Sequence, residues 1–155
     1  MIKINVITKN NTWFNFIKKP NHYLDKKLKK LNFKEREFKN NRIFCTLLLS
    51  GNKEIKYLNK KFRNKDKVTD ILSFPFYNKR ELKKKIKTEK EIYLGDIIIN
   101  LNKINRKKLK KNFKEEFDRL WIHGLVHLFG HEHKKDLNFK KMYKIEKKYF
   151  EIVND

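Results

Sequence analysis

The sequence predicts an α+β domain: about four strands in a mixed sheet, packed with helices, with a three-histidine site at the end of a central helix. Three observations predict it. Short β-branched or apolar runs alternate with helical patterns in the first half, "KVTDILSFPF" and "YLGDIIIN" follow as two further extended segments, and the final third is helical in pattern. At 155 residues, 39% hydrophobic and with thirteen Phe, the chain is long enough to bury one core, so residues 1–155 are expected to form one domain without repeats or linkers.

Taken in order, "MIKINVIT" places Ile2, Ile4 and Val6 on one face and Lys3 and Asn5 on the other, the alternation of a half-buried strand. "PNHYLDKKLKKLNFKE" opens with Pro20 and spaces Tyr23, Leu24, Leu28 and Leu31 mostly by three and four, an amphipathic helix with a lysine-rich outer face. "RIFCTLLLSG" is almost wholly apolar or β-branched and closes on Gly51, which predicts a strand buried on both faces. "NKEIKYLNKKFRN" sets Ile55, Leu58 and Phe62 at helical steps and ends near Arg63. "KVTDILSFPF" reads as extended and interrupted at Pro75, "YNKRELKKKIKTEKE" as a charged surface insertion, and "YLGDIIIN" as a strand. From Asn102 onward the pattern is helical: Phe113, Phe117, Leu120, Trp121, Leu125 and Leu128 form a broad apolar face that stops at Gly130, and "LNFKKMYKIEKKYFEIV" makes the last helix.

No run approaches the roughly 18 consecutive apolar residues of a membrane span, and the N-terminal alternation is unlike a signal peptide, so a soluble, cytoplasmic protein is expected. The single cysteine, Cys45, lies in an apolar run and reads as a reduced, packed thiol. A formal charge of +23 suits a polyanionic partner, yet 35 Lys stand against six Arg, with no Ala and no Gln. That skew fits an AT-rich coding sequence drifting surface positions to lysine, so the charge alone does not identify nucleic acid as the partner.

The chemistry concentrates in "HGLVHLFGHEH", residues 123 to 133, which holds four of the five histidines. His123 and His127, four apart on a helix, share a face, and Gly130 lets the chain turn back so that His133 can reach the same point. Three neutral imidazoles with an open fourth position are the ligand set of a catalytic zinc. The spacing matches the metzincin pattern H-E-x-x-H-x-x-G-x-x-H at its three histidines and its glycine. Gly124, however, stands where those proteases carry the glutamate that serves as general base, which disfavours peptide hydrolysis. His131 falls out of phase with the trio, and His22, at a helix start, reads as a surface residue.

With these residues the sequence resembles the YbeY family of endoribonucleases, whose hallmark is H-G-x-L-H-L-x-G-[YF]-D-H. "LNKKFRNKDKVTDILSFP" at 58 to 75 and "LGDIIIN" at 94 to 100 match two further signatures, so the resemblance spans most of residues 42 to 150. The departures are Val126, His131, Glu132, Phe62, Ile71 and Val68. The resemblance implies one Zn²⁺ per chain on His123, His127 and His133, and Arg63 as the catalytic residue that is not a ligand. A planar guanidinium independently suits a phosphodiester. Thr69, Asp70 and Ser73 are expected to brace the turn carrying Arg63, and Glu132 to orient a histidine.

The implied activity is zinc-dependent, single-strand-specific endoribonucleolysis in 3′ end maturation of small-subunit ribosomal RNA and in ribosome quality control. Its partners would be ribosomal RNA and the small ribosomal subunit, with room for a ribosomal protein and a ribosome-associated GTPase, and no membrane. Two rival readings are a metzincin-like metalloprotease and a non-catalytic ribosome-assembly factor with structural zinc.

Overall fold

A computed structural model describes residues 1–36, 39–104, 110–133 and 136–155. Its strands are β1 (Ile2–Thr8), β2 (Arg42–Ser50), β3 (Ile71–Pro75) and β4 (Glu91–Asn100), in the order β1-β2-β4-β3. β1, β2 and β4 run parallel and β3 antiparallel to β4, so the sheet is mixed, as the sequence predicts. The helices are α1 (Pro20–Lys34), α2 (Asn52–Arg63), α3 (Lys79–Thr88), α4 (Lys110–Leu128) and α5 (Asp136–Asn154). Part of the helical stretch expected from Asn102, residues 105–109, lies outside the described residues, and residues 101–103 form a single 3₁₀ turn. A second 3₁₀ turn, Asn11–Asn15, escaped the sequence reading and buries Trp13 completely.

One face of the sheet carries the main core. Ile43, Cys45, Leu47 and Leu49 of β2 and Ile92, Leu94, Ile97 and Ile99 of β4 meet Leu24, Leu28 and Leu31 of α1 and Phe113, Phe117, Trp121 and Leu125 of α4. Asp118 is buried within this layer, and its carboxylate is satisfied by the Tyr23 hydroxyl at 3.0 Å, Lys27 Nζ at 2.9 Å and Trp121 Nε1 at 2.9 Å. The other face is covered in part by α2, through a small cluster of Ile55, Leu72 and Ile98.

Two expectations need correction. β2 is not buried on both faces: Phe44 is 40% exposed, because α2 covers only part of that side. Nor is the charged stretch after Pro75 a mere insertion. It contains α3, capped by reciprocal hydrogen bonds between Asn78 and Glu81 at 2.9 and 3.0 Å, and it drives Leu82 into the main core.

Two glycines shape the part of the fold that positions the site. Gly95 (φ +129°) sits at an irregularity where β4 spends Leu94 and Gly95 against Cys45 alone, and a Cβ there would stand 2.1 Å from the Phe74 carbonyl oxygen. Gly124 lets α4 lie directly on β4, since a Cβ there would meet Ile97 Cγ2 at 2.7 Å.

Candidate metal centre

The site is built at the C-terminal end of α4. His123 and His127 occupy its last two turns on one face, with ring centroids 4.5 Å apart. The helix then stops in a Schellman turn: Gly130 adopts φ +81°, its N–H donates to the His127 carbonyl at 2.8 Å, and the His131 N–H donates to Val126 at 3.3 Å. The reversal brings His133 back, its ring 5.8 Å from His123 and 5.0 Å from His127. Each of the three offers a ligand atom, and these atoms lie within 4.8 Å of one another. His131 contributes its backbone instead, and His22 is exposed on α1.

Hydrogen bonds fix which nitrogens face the centre. His123 Nδ1 lies 2.7 Å from Glu146 Oε1, and His127 Nδ1 lies 2.8 Å from the His131 carbonyl oxygen. Carbonyl oxygen only accepts, as does an ionised carboxylate, so the proton belongs on Nδ1 in both rings, and a neutral ring in that tautomer presents its Nε2 lone pair. Those two Nε2 atoms stand 3.1 Å apart. Lone pairs facing each other repel unless a cation lies between them, and tetrahedral zinc with Zn–N of about 2.0–2.1 Å separates its ligands by about 3.3 Å. Burial, followed by the neighbouring His123, pushes the His127 imidazole down from its ordinary 6.5 to about 4, so it stays neutral and able to ligate near pH 7. The donor set fits a zinc ion.

Arg63 ends α2, just before Asn64 takes the left-handed conformation (φ 55°). Its Nη2 donates to the Ser73 carbonyl at 3.2 Å, and its guanidinium lies over the Phe74 ring at 5.7 Å. Arg63, Ser73 and the three histidines line one cleft of about 910 Å³. Ser73 Oγ is buried and makes no hydrogen bond among the described residues. Asp70 accepts from the Ile71 N–H at 2.8 Å and the Thr69 hydroxyl at 3.1 Å, and Asn100 Nδ2 holds the Thr69 carbonyl at 3.1 Å. This bracing fixes the start of β3, and with it the carbonyl that Arg63 grips.

Sequence reasoning missed Glu146, which reaches His123 from α5, 23 positions along the chain. Glu132, expected to orient a histidine, lines the same cleft in the loop before His133. The second residue of "HGLVH" is explained by packing. Gly124 points at the sheet, away from the cleft, so a glutamate there would be driven against Ile97 and could not serve a metal-activated water. Cys45 is buried, and burial followed by the nearby Asp96 pushes its thiol up to about 12, an inert packed cysteine as expected.

The sequence profile described as endoribonuclease YbeY matches residues 5–154. The chain belongs to the YbeY family. Curated YbeY relatives named Endoribonuclease YbeY include one from Pelagibacter ubique, 41% identical over 155 residues that span 99% of this chain and 97% of the relative. Another, from Mycoplasmopsis pulmonis, is 37% identical over 97% of this chain and 96% of its own. This chain is also similar to a Thermotoga maritima protein solved in solution, with a TM-score of 0.59 and 28% identity over 99% of this chain and 89% of that one. Among the described residues, no helix is long and apolar enough to cross a membrane.

Proposed function

We propose that this chain, as a single metallohydrolase domain over residues 1–155, is a zinc-dependent, single-strand-specific endoribonuclease. Its place is in 3′ end maturation of small-subunit ribosomal RNA and in ribosome quality control, in the cytoplasm. Ribosomal RNA and the small ribosomal subunit are its partners, with a ribosomal protein and a ribosome-associated GTPase as further contacts. Relatives named as endoribonucleases support the RNA substrate. The observation that supports the metal dependence is the convergence of His123, His127 and His133, whose ligand atoms lie within 4.8 Å of one another, with the His123 and His127 Nε2 atoms 3.1 Å apart and each ring held from behind at Nδ1.

His123, His127 and His133 would hold one Zn²⁺, which when bound supplies Lewis acidity at a phosphoryl oxygen and lowers the pKa of water to about 7. Glu146 and the His131 carbonyl keep two of the imidazoles in the ligating tautomer. Arg63, which lines the same cleft as the histidines, offers its remaining N–H donors to a phosphodiester. Because a guanidinium keeps its proton and has no lone pair for a metal, Arg63 acts on charge in the transition state and not on the ion.

Arg63→Ala tests this division of labour. Zinc content and a cooperative thermal melt should be retained, while single-turnover cleavage of a ribosomal RNA fragment falls by about 10²-fold or more. Arg63→Lys should recover little, since lysine lacks the two-donor fork. Full cleavage by the zinc-loaded alanine variant would remove Arg63 from the mechanism.

A further inference from the structure

Lys79, Arg80, Lys83, Lys84 and Lys87 fall at helical steps along α3 and by themselves line a surface groove of about 440 Å³. At about 100° per residue they spread over about 140° of the helix, while Leu82 and Ile86 turn to the core. All five are exposed, and among the described residues none is paired with a carboxylate. Some lysines do have partners: Lys27 with Asp118, Lys56 and Lys60 with Asp66, Lys147 with Glu151, Lys148 with Glu35 and, on the flank of α3 itself, Lys85 with Glu89. On α3 the like charges stand four apart at 79 and 83, 80 and 84, and 83 and 87, an arrangement that weakens a helix. Drift of surface codons to lysine explains lysines, but it does not explain why this stripe meets the site.

The junction is direct. Lys79, at the head of the stripe, also lines the histidine cleft. It packs on the turn that aims His133, where a Cβ on Gly130 would meet Lys79 Cβ at 3.0 Å and Cα at 3.1 Å. A strand of RNA whose scissile phosphate sits between Arg63 and the histidines can leave the cleft past Lys79 with its next phosphates over Lys83 and Lys87. From Lys79 to Lys87 the helix rises about 12 Å, enough for about two or three successive phosphates of an extended strand.

We propose that the basic stripe of α3 binds the sugar–phosphate backbone of the RNA substrate on one side of the scissile bond. The proposal rests on the endoribonuclease reading. It assigns the occupant from charge complementarity and continuity with the cleft, and it is indifferent to base sequence.

The test compares two zinc-loaded full-length variants with equal loss of charge. In one, Lys79, Arg80, Lys83, Lys84 and Lys87 are changed to Gln; in the other, the exposed Lys18, Lys19, Lys26, Lys29 and Lys34 on and before α1 are changed to Gln. Binding of a 2′-O-methyl oligoribonucleotide, which resists cleavage, is measured from low to moderate salt. Loss of two or three phosphate contacts should lower the slope of log K against log salt by about 1.4 to 2 in the α3 variant. The α1 variant should change it by less than half of that. The α3 variant should melt no lower than the parent because repulsions are removed; if it does melt lower, Lys83→Gln with Lys87→Gln replaces it and should lose about half as much slope. Equal changes in the two variants, or none in either, would overturn the proposal. Cleavage of an unmodified ribosomal RNA fragment by the parent protein separates the two readings: cleavage with an unchanged α3 slope refutes the stripe alone, and absence of both binding and cleavage in the parent refutes the nuclease reading with it.

Discussion

Gly124→Ala probes why the metal-binding helix carries glycine beside its first histidine. The added Cβ would stand 2.7 Å from Ile97 Cγ2, well inside ordinary carbon contact, and 3.1 Å from Ile97 Cγ1 and Cδ1, a few tenths of an ångström inside it. Ile97 is fully buried in the central strand β4, and its β-branched side chain has no empty space to rotate into. Overpacking of this kind costs about 1–3 kcal/mol, and three close contacts to one immobile residue place this case near the top of that range. Alanine gains back about 1 kcal/mol in helix propensity. The net expectation is a destabilisation of about 1–2 kcal/mol, measured by urea unfolding of the zinc-free protein. Gly124→Ala combined with Ile97→Ala should cost less than the sum of the two single changes, because the second removes what the first strikes. If Gly124→Ala alone is neutral or stabilising, close packing is not why this position is glycine. Gly124→Glu, which restores the metzincin residue, should destabilise more and confer no peptidase activity, since its carboxylate faces the sheet.

Changing His123, His127 or His133 singly to Ala should lower bound zinc well below one equivalent by elemental analysis, whereas His131→Ala should leave it near one; the reverse pattern for His131 and His133 would overturn the ligand assignment. Glu146→Ala should weaken zinc binding by about 10- to 100-fold in a chelator competition, and unchanged affinity would deny that carboxylate its orienting role. Burial and then His123 hold the His127 imidazole at about 4 in the fold against 6.5 ordinarily, so the unfolded chain takes up that proton at higher pH than the native one. This group's contribution is therefore flat above about pH 7 and falls as pH drops from 6.5 toward 4, by at most about 1.4 kcal/mol per pH unit. Urea titrations of the metal-free protein should show that loss and His127→Asn should reduce it; identical pH dependence in the two would contradict the assignment.

What the sequence made legible was local. A four-residue spacing and a following glycine are enough to place His123, His127 and His133 together, because helix periodicity and a left-handed C-terminal turn are properties of the segment itself. The alternation in β1 and the leucine spacing in α1 were readable for the same reason. What escaped was set by distant neighbours. Glu146 reaches His123 from another helix, and nothing in "YKIEKKYF" marks one glutamate among lysines. Gly124 is explained only by Ile97, a residue of the sheet beneath it. The apolar composition of β2 suggested two covered faces, yet how far α2 extends over that side is decided by tertiary packing, and Phe44 is left at the surface. In α3 the lysines hid Leu82 and Ile86, whose spacing of four is the trace of an amphipathic helix too short to stand out.

The central claim is that the histidine centre cleaves RNA through a bound metal. The most direct measurement is cleavage of a single-stranded ribosomal RNA fragment by one preparation in three states: as zinc-loaded protein, after removal of the metal by chelation and dialysis, and after return of one equivalent of zinc. Activity should be present, lost and restored in step with zinc content, while circular dichroism shows the fold intact throughout. Undiminished cleavage by the fully metal-free protein would contradict the account.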